Sequence, residues 1–140
     1  MIIPTKKLTP EAKLPEQQHS DDAGFDLYAT SKTLDREHRA TIFGTGLAFD
    51  IPQGYAMFIY PRSSCFKYRA LQANCVAVID SGYHGEVHIV FKGLNCEYQV
   101  GERIAQAVVM PIPQVEYFEV TNDFAETERG NGGFGSTGKD

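Results

Sequence analysis

With 140 residues, 42% of them apolar and 22% charged, the chain has the balance of one ordinary globular domain, able to bury roughly 68–70% of the surface its unfolded form exposes. No apolar run approaches the ~18 residues of a membrane span, and the opening "MIIPTKKL" lacks the apolar stretch of a secretory signal, which argues against export. A net charge of −5 disfavours general nucleic-acid binding, which needs many Lys and Arg contacts with phosphate.

In chain order, the first polar stretch rich in helix formers, "TPEAKLPEQQHSDD", is interrupted by Pro15, so no long helix is expected there. Strand signals dominate the rest of the chain. "TIFGTGLAFDI" leads to "GYAMFIYP", where Tyr55, Met57 and Ile59 share one face and Ala56, Phe58 and Tyr60 the other, a pattern for a strand buried on both sides. "PRSSCFKYRALQAN" is the one place that allows a helical turn. "GEVHIVFKG" alternates cleanly, with Val87, Ile89 and Phe91 against His88, Val90 and Lys92, and "RIAQAVVMPI" and "VEYFEV" read as further strands. Short strands with Gly and Pro punctuation predict an all-β fold, a distorted jelly-roll-like barrel with at most one short helix. Residues 1–128 are expected to form that barrel and 129–140 a flexible C-terminal lid, because five glycines between Gly130 and Gly138 oppose helix and strand while Phe134 is too apolar for a purely solvated tail.

Three cysteines, Cys65, Cys75 and Cys96, fit no zinc or redox spacing, so free thiols in a reducing, cytoplasmic setting are expected. The H-x-E and P-C-x-x-C signatures of zinc deaminases are missing. His84 and His88 could share a strand face and hold a metal, but exposed histidines are the simpler reading.

Five polar patches interrupt the strands: "DDAGFDLYA" (21–29), "PRSSCF" (61–66), "NCVAVIDSGYHGEV" (74–87), "GERIAQ" (101–106) and "RGNGGFGSTG" (129–138). In the third, Asp80 follows the apolar run "VAVI", so it is expected at the end of a buried strand, with "SGYHG" as the turn of a hairpin. A carboxylate there either caps its own turn or is paired or used. "PRSS" offers Arg62 and the hydroxyls of Ser63 and Ser64 to phosphate oxygens. "GERIAQ" adds Gln106 and Arg103, the latter more simply an ion-pair residue. The tail adds Arg129, Ser136 and Thr137 around a glycine-lined backbone that includes Gly135, and Phe134 presents a flat surface to a base.

In this order, over nearly the whole chain, the five patches resemble the motifs of the trimeric dUTPases. The resemblance implies a homotrimer with subunit-shared sites that splits dUTP into dUMP and pyrophosphate with Mg²⁺, limiting uracil incorporation into DNA and supplying dUMP. It assigns activation of the attacking water to Asp80, deoxyribose packing to Tyr83, and a place near the uracil to Asn74. Phosphate contacts fall to Arg62, Ser63 and Gln106, and Asp26 lies near the metal and its waters. Phe134 would stack on the base while Arg129, Gly135, Ser136 and Thr137 close over the phosphates. Gly82 and His84 stand where the commonest pattern has an acidic residue and an arginine, Ala77 replaces a common glycine, and Phe66 is bulky after "PRSS". The "IDSGY" spelling also resembles the dCTP deaminases of the same fold, but the glutamate those enzymes use aligns with Val90 here. A nucleotide-dependent partner-binding protein is the remaining alternative.

Overall fold

The computed structural model describes residues 1–133. Among these are nine strands and one 3₁₀ turn: β1 (Thr5–Lys7), β2 (Phe25–Tyr28), β3 (Ser31–Asp35), β4 (Ala40–Gly44), β5 (Leu47–Phe49), β6 (Tyr55–Tyr60), the turn Cys65–Tyr68, β7 (Ala77–Ile79), β8 (His88–Lys92) and β9 (Arg103–Pro111). They form three antiparallel sheets, ordered β1-β5, β2-β9-β6-β7 and β3-β4-β8. The all-β expectation holds, and the helical turn lies in the stretch that allows one. No helix among the described residues is long and apolar enough to cross a membrane.

One core serves all three sheets. Leu27, Ile59 and Ile104 come from the four-stranded sheet, Phe43, Ile89 and Phe91 from the three-stranded sheet, and Leu47 and Phe49 from the small one. Phe91 is fully buried and sits edge-on to Phe43 at 5.8 Å between ring centres and tilted against Tyr98 at 5.6 Å, while Tyr98 stacks on Tyr68 at 4.3 Å. The Lys32 ammonium donates to the carbonyls of Cys96 and Tyr98 at 3.0 and 2.7 Å, holding that loop against the aromatic cluster.

β6 is central and largely buried, as its unbroken apolar run predicts. In β8, Ile89 and Phe91 point inward and His88 and Lys92 outward, which matches the alternation. Three expectations are corrected. β7 is an edge strand, not a buried one: it pairs with β6 alone and leaves Val78 55% exposed. The segment after it is not a hairpin turn, because β7 and β8 belong to different sheets. "VEYFEV" forms no strand; regular structure among the described residues ends at Pro111, and Tyr117 and Phe118 are 92% and 81% exposed. Alternation favours a strand only where a neighbouring edge is present to accept it, and the described part of this chain supplies none there.

Phe91→Ala should destabilise the fold by about 3–5 kcal/mol, the usual cost of emptying a buried aromatic site, as measured by urea unfolding. Burial raises the Tyr98 phenol above its ordinary pKa, with Ser64 and the Arg62 charge working against that rise. Ionisation in the fold is therefore disfavoured, so Tyr98 contributes stability in full below pH ~10 that is lost as pH rises through the folded value. Tyr98→Phe should flatten that alkaline fall in Tm.

Candidate functional site

The site residues gather through strand register. β2 and β6 flank β9, and Gln106 faces Asp26 on one side and Tyr60 on the other. The chain leaves β6 through Pro61 into Arg62 and Ser63. Three stretches separated by dozens of residues thus meet at one end of one sheet.

Asp26 is the hub of this group. Its residue is buried, and its carboxylate accepts from Arg62 Nε at Oδ1 (2.9 Å) and from Arg103 at Oδ2 (3.1 Å). The bulge between Leu27 and Tyr28 brings Arg103 opposite Tyr28, within reach of Asp26. Gln106 donates to the Pro61 carbonyl at 3.2 Å. Gly24 leaves room for it, since a Cβ there would sit 2.7 Å from Gln106 Oε1. The result is a cleft of about 390 Å³ with Arg62, Ser63, Arg103, Gln106 and Asp26 in its wall, closed on another side by Gln18, His19 and Asp22. Arg62 and Arg103 converge on Asp26, and with Asp22 also in the wall the cleft carries two guanidinium groups and two carboxylates. Guanidinium groups in a cleft wall offer N–H donors of the kind that suit phosphate oxygens.

A second cleft, of about 270 Å³, is lined by Asn74, Asp80 and Tyr83 together with Glu86 and His88. Asp80 is exposed and begins a turn in which the Tyr83 amide donates to the Asp80 carbonyl at 3.1 Å. The Tyr83 hydroxyl donates to the Glu86 carbonyl at 2.9 Å. Asn74 Oδ1 accepts from Gln72 Nε2 at 3.3 Å, and Gln72, almost completely buried, is held in turn by the Ile59 carbonyl at 3.0 Å.

The two clefts share no lining residue. β7 runs antiparallel to β6 with Ile79 opposite Met57, so Asp80 follows the Met57 end of β6 while Arg62 extends from the Tyr60 end. Within one chain, Asp80 and Tyr83 are therefore not brought to Arg62, Ser63 and Gln106. Ser64 precedes the 3₁₀ turn, half-buried. Arg129 is exposed and donates through Nε to the Gly132 carbonyl at 3.0 Å. Phe134, Gly135, Ser136 and Thr137 lie outside the described residues.

The histidines do not converge on a common ion: His84 faces Asp50 at 3.3 Å and His88 faces Glu86 at 3.6 Å, and both are exposed. Among the described residues no three His, Cys, Asp or Glu side chains are grouped to hold a metal. Gln72, Glu86, Gln18 and His19 were not legible as site residues. Gln72 and Glu86 touch site residues close by, Asn74 and Tyr83, but are held by the Ile59 carbonyl and the Gly46 amide, which lie further away in sequence, and nothing in the "QQHS" stretch distinguishes it from a solvated loop.

The family model for dUTPase matches residues 10–138. The chain belongs to the dUTPase family. It is 42% identical over 143 aligned positions to the deoxyuridine 5'-triphosphate nucleotidohydrolase of Nautilia profundicola, covering 99% of this chain and 100% of that protein. The enzyme of the same name from Clostridium tetani is 37% identical, with 96% and 94% covered. Among solved dUTPases, that of Staphylococcus bacteriophage 80alpha in complex with dUPNHPP superposes with a TM-score of 0.83 at 27% identity, covering 99% of each chain. A phage phi11 dUTPase variant, in which a structural Mg(II) ion is coordinated, shares the fold at a TM-score of 0.73 and 22% identity, covering 87% of this chain and 98% of that one. The first cleft thus gathers residues of the polar patches at 21–29, 61–66 and 101–106, and the second cleft residues of the patch at 74–87.

Asp26→Ala should leave two adjacent guanidinium groups without a counter-charge. Because both remain partly exposed, we expect a loss of about 2 kcal/mol in urea unfolding, below the 3–5 kcal/mol of a fully buried pair, with part of it recovered on adding inorganic pyrophosphate.

Proposed function

We infer that the chain is a dUTP diphosphatase, converting dUTP and water into dUMP and pyrophosphate at a site completed by a second copy. The observation that carries this reading is the retention, in a chain matching the dUTPase family along its length, of both an arginine-lined cleft and a separate cleft holding an aspartate and a tyrosine.

Each half has a distinct task. Arg62, Arg103, Ser63 and Gln106 present donors to phosphate oxygens and offset the charge that would repel an incoming nucleophile. Asp80, accessible at its turn, takes the proton of the water that attacks the α-phosphorus, a contribution of typically 10²- to 10⁴-fold. Tyr83 packs against the deoxyribose and Asn74, aimed by Gln72, lies beside the uracil. Groups built to pair with a uracil edge would be left unpaired against cytosine, a source of rejection by about 10⁴ or more. Residues 129–140 act as a lid, with Arg129, Gly135, Ser136 and Thr137 on the phosphates and Phe134 on the base, and closure excludes bulk water.

Asp26 offers hard oxygen donors that fit Mg²⁺, but because both oxygens are held by guanidinium groups it would hold such an ion through water. The ion's remaining ligands would be phosphate oxygens and waters, and once bound it would neutralise phosphate charge.

Assembly as a homotrimer would place the Asp80 cleft of one copy against the Arg62 cleft of the next. The exposure of Val78, Val115, Tyr117, Phe118 and Phe124 supports this reading, because it leaves apolar surface that a neighbouring copy can cover. Deamination of dCTP is less well supported: Val90 on β8, opposite Ile42, carries no group for acid–base chemistry.

With Mg²⁺ and each of dUTP, dCTP, dTTP and UTP, pyrophosphate should appear from dUTP. Ammonia from dCTP would favour the deaminase, and tight dUTP binding without turnover a nucleotide sensor. Asp80→Asn should abolish turnover while nucleotide affinity stays within about threefold, since only the proton acceptor is lost. Refolding a mixture of the inactive Asp80→Asn and Arg62→Ala chains should restore activity, because some interfaces then combine two intact halves. No recovery would place the whole site within one chain.

A further inference from the structure

The turn bearing Asp80 and Tyr83 protrudes from an edge strand and lies between two sheets, so its own backbone does little to fix it. Its anchor is found at Glu86. The Glu86 carboxylate accepts from the Gly46 amide at 2.8 Å, at the corner where β4 passes into β5. The carbonyl of the same residue accepts from the Tyr83 hydroxyl at 2.9 Å. Next in the chain, Val87 is buried and tied down twice: its amide donates to the Leu47 carbonyl at 2.9 Å, and its carbonyl accepts from the Thr45 hydroxyl at 2.8 Å. The Tyr83 ring lies directly over Gly85, where a Cβ would sit 2.6 Å from the phenol oxygen and 2.8 Å from the ring carbon bearing it.

Tyr83 therefore has a seat with three parts. Gly85 is its floor, the Glu86 carbonyl holds its outer end, and the Glu86 carboxylate locks the seat to the β4–β5 corner. The His84–Asp50 contact crosses to the far side of β5 at 3.3 Å, but both groups are about two-thirds exposed and such a pair contributes little. The Glu86 contact is better protected, with its side chain 28% exposed.

We propose that Glu86 is a positioning residue for deoxyribose selection: it touches no reacting atom, and by fixing the Tyr83 ring it sets the surface against which a sugar with or without a 2′-hydroxyl is compared. This rests on the reading of Tyr83 as the sugar-packing residue of a dUTPase. A ring free to swing would lose packing against the deoxy sugar and would cease to exclude the extra hydroxyl. Glu86→Gln keeps an oxygen for the Gly46 amide, whereas Glu86→Ala does not.

The test compares dissociation constants of α,β-imido-dUTP and α,β-imido-UTP for wild type, Glu86→Ala, Glu86→Gln and Gly85→Ala, alongside dUTP turnover by wild type. Glu86→Ala should lower the deoxy-over-ribo preference about tenfold, roughly the effect of one lost hydrogen bond, and Glu86→Gln should hold it within about threefold of wild type. General loosening of the fold would weaken both analogues alike and leave the ratio in place. If Glu86→Ala does not fold, Gly85→Ala, which pushes the ring off its floor without touching Glu86, must produce the same fall. A wild-type ratio in folded Glu86→Ala, or in Gly85→Ala, would overturn the inference while leaving the dUTPase reading intact. Failure of the wild-type protein to hydrolyse dUTP would overturn that reading, and this inference with it.

Discussion

The structure depends on the double pairing of β9. This nine-residue strand accepts β2 along its first half and β6 along its second, and the two ladders overlap at Gln106 and Ala107. The overlap aligns Asp26, Gln106 and the exit of β6 side by side, so that one ladder register assembles most of the first cleft's wall. A one-residue slip of β2 would turn Asp26 from the cleft toward the core and leave Arg62 and Arg103 without their common carboxylate.

The electrostatic character of the site derives from that alignment. A protein with net charge −5 still brings two guanidinium groups, Arg62 and Arg103, into one cleft without being basic overall. Asp26 has two consequences here. It holds both arginines in fixed orientation before any ligand arrives, and it lowers the repulsion between them. Fixed donors need little reorganisation when a phosphate enters, which is the condition under which electrostatic stabilisation is most effective.

The third-motif cleft is arranged differently. Its residues project from an edge strand and from the crossing between two sheets, and they are held by a few specific hydrogen bonds, through Gln72 on one side and Glu86 on the other. Separation of the two clefts keeps each half accessible in a single chain. It also makes an assembled site a natural requirement for any reaction that needs the arginines and Asp80 together.

Much of this was legible in the sequence. An unbroken apolar run gave β6, a largely apolar stretch bounded by Gly and Pro gave β9, alternation gave the faces of β8, and the ordered polar patches marked Asp80, Arg62 and Gln106, because these features arise from local periodicity and local chemistry. Asp80 at the end of an edge strand, the crossing between sheets after β7, and the unpaired "VEYFEV" segment were not legible, since pairing partners are chosen by distant parts of the chain. The amino-acid sequence by itself determined that β6, β8 and β9 would extend and which side chains carry charge. Tertiary structure alone decided that Asp26 would join Arg62 to Arg103, that the Tyr83 hydroxyl would meet the Glu86 carbonyl, and that the residues singled out from the sequence would be divided between two clefts. Register and sheet order are properties of long-range packing, and no single stretch of residues contains them.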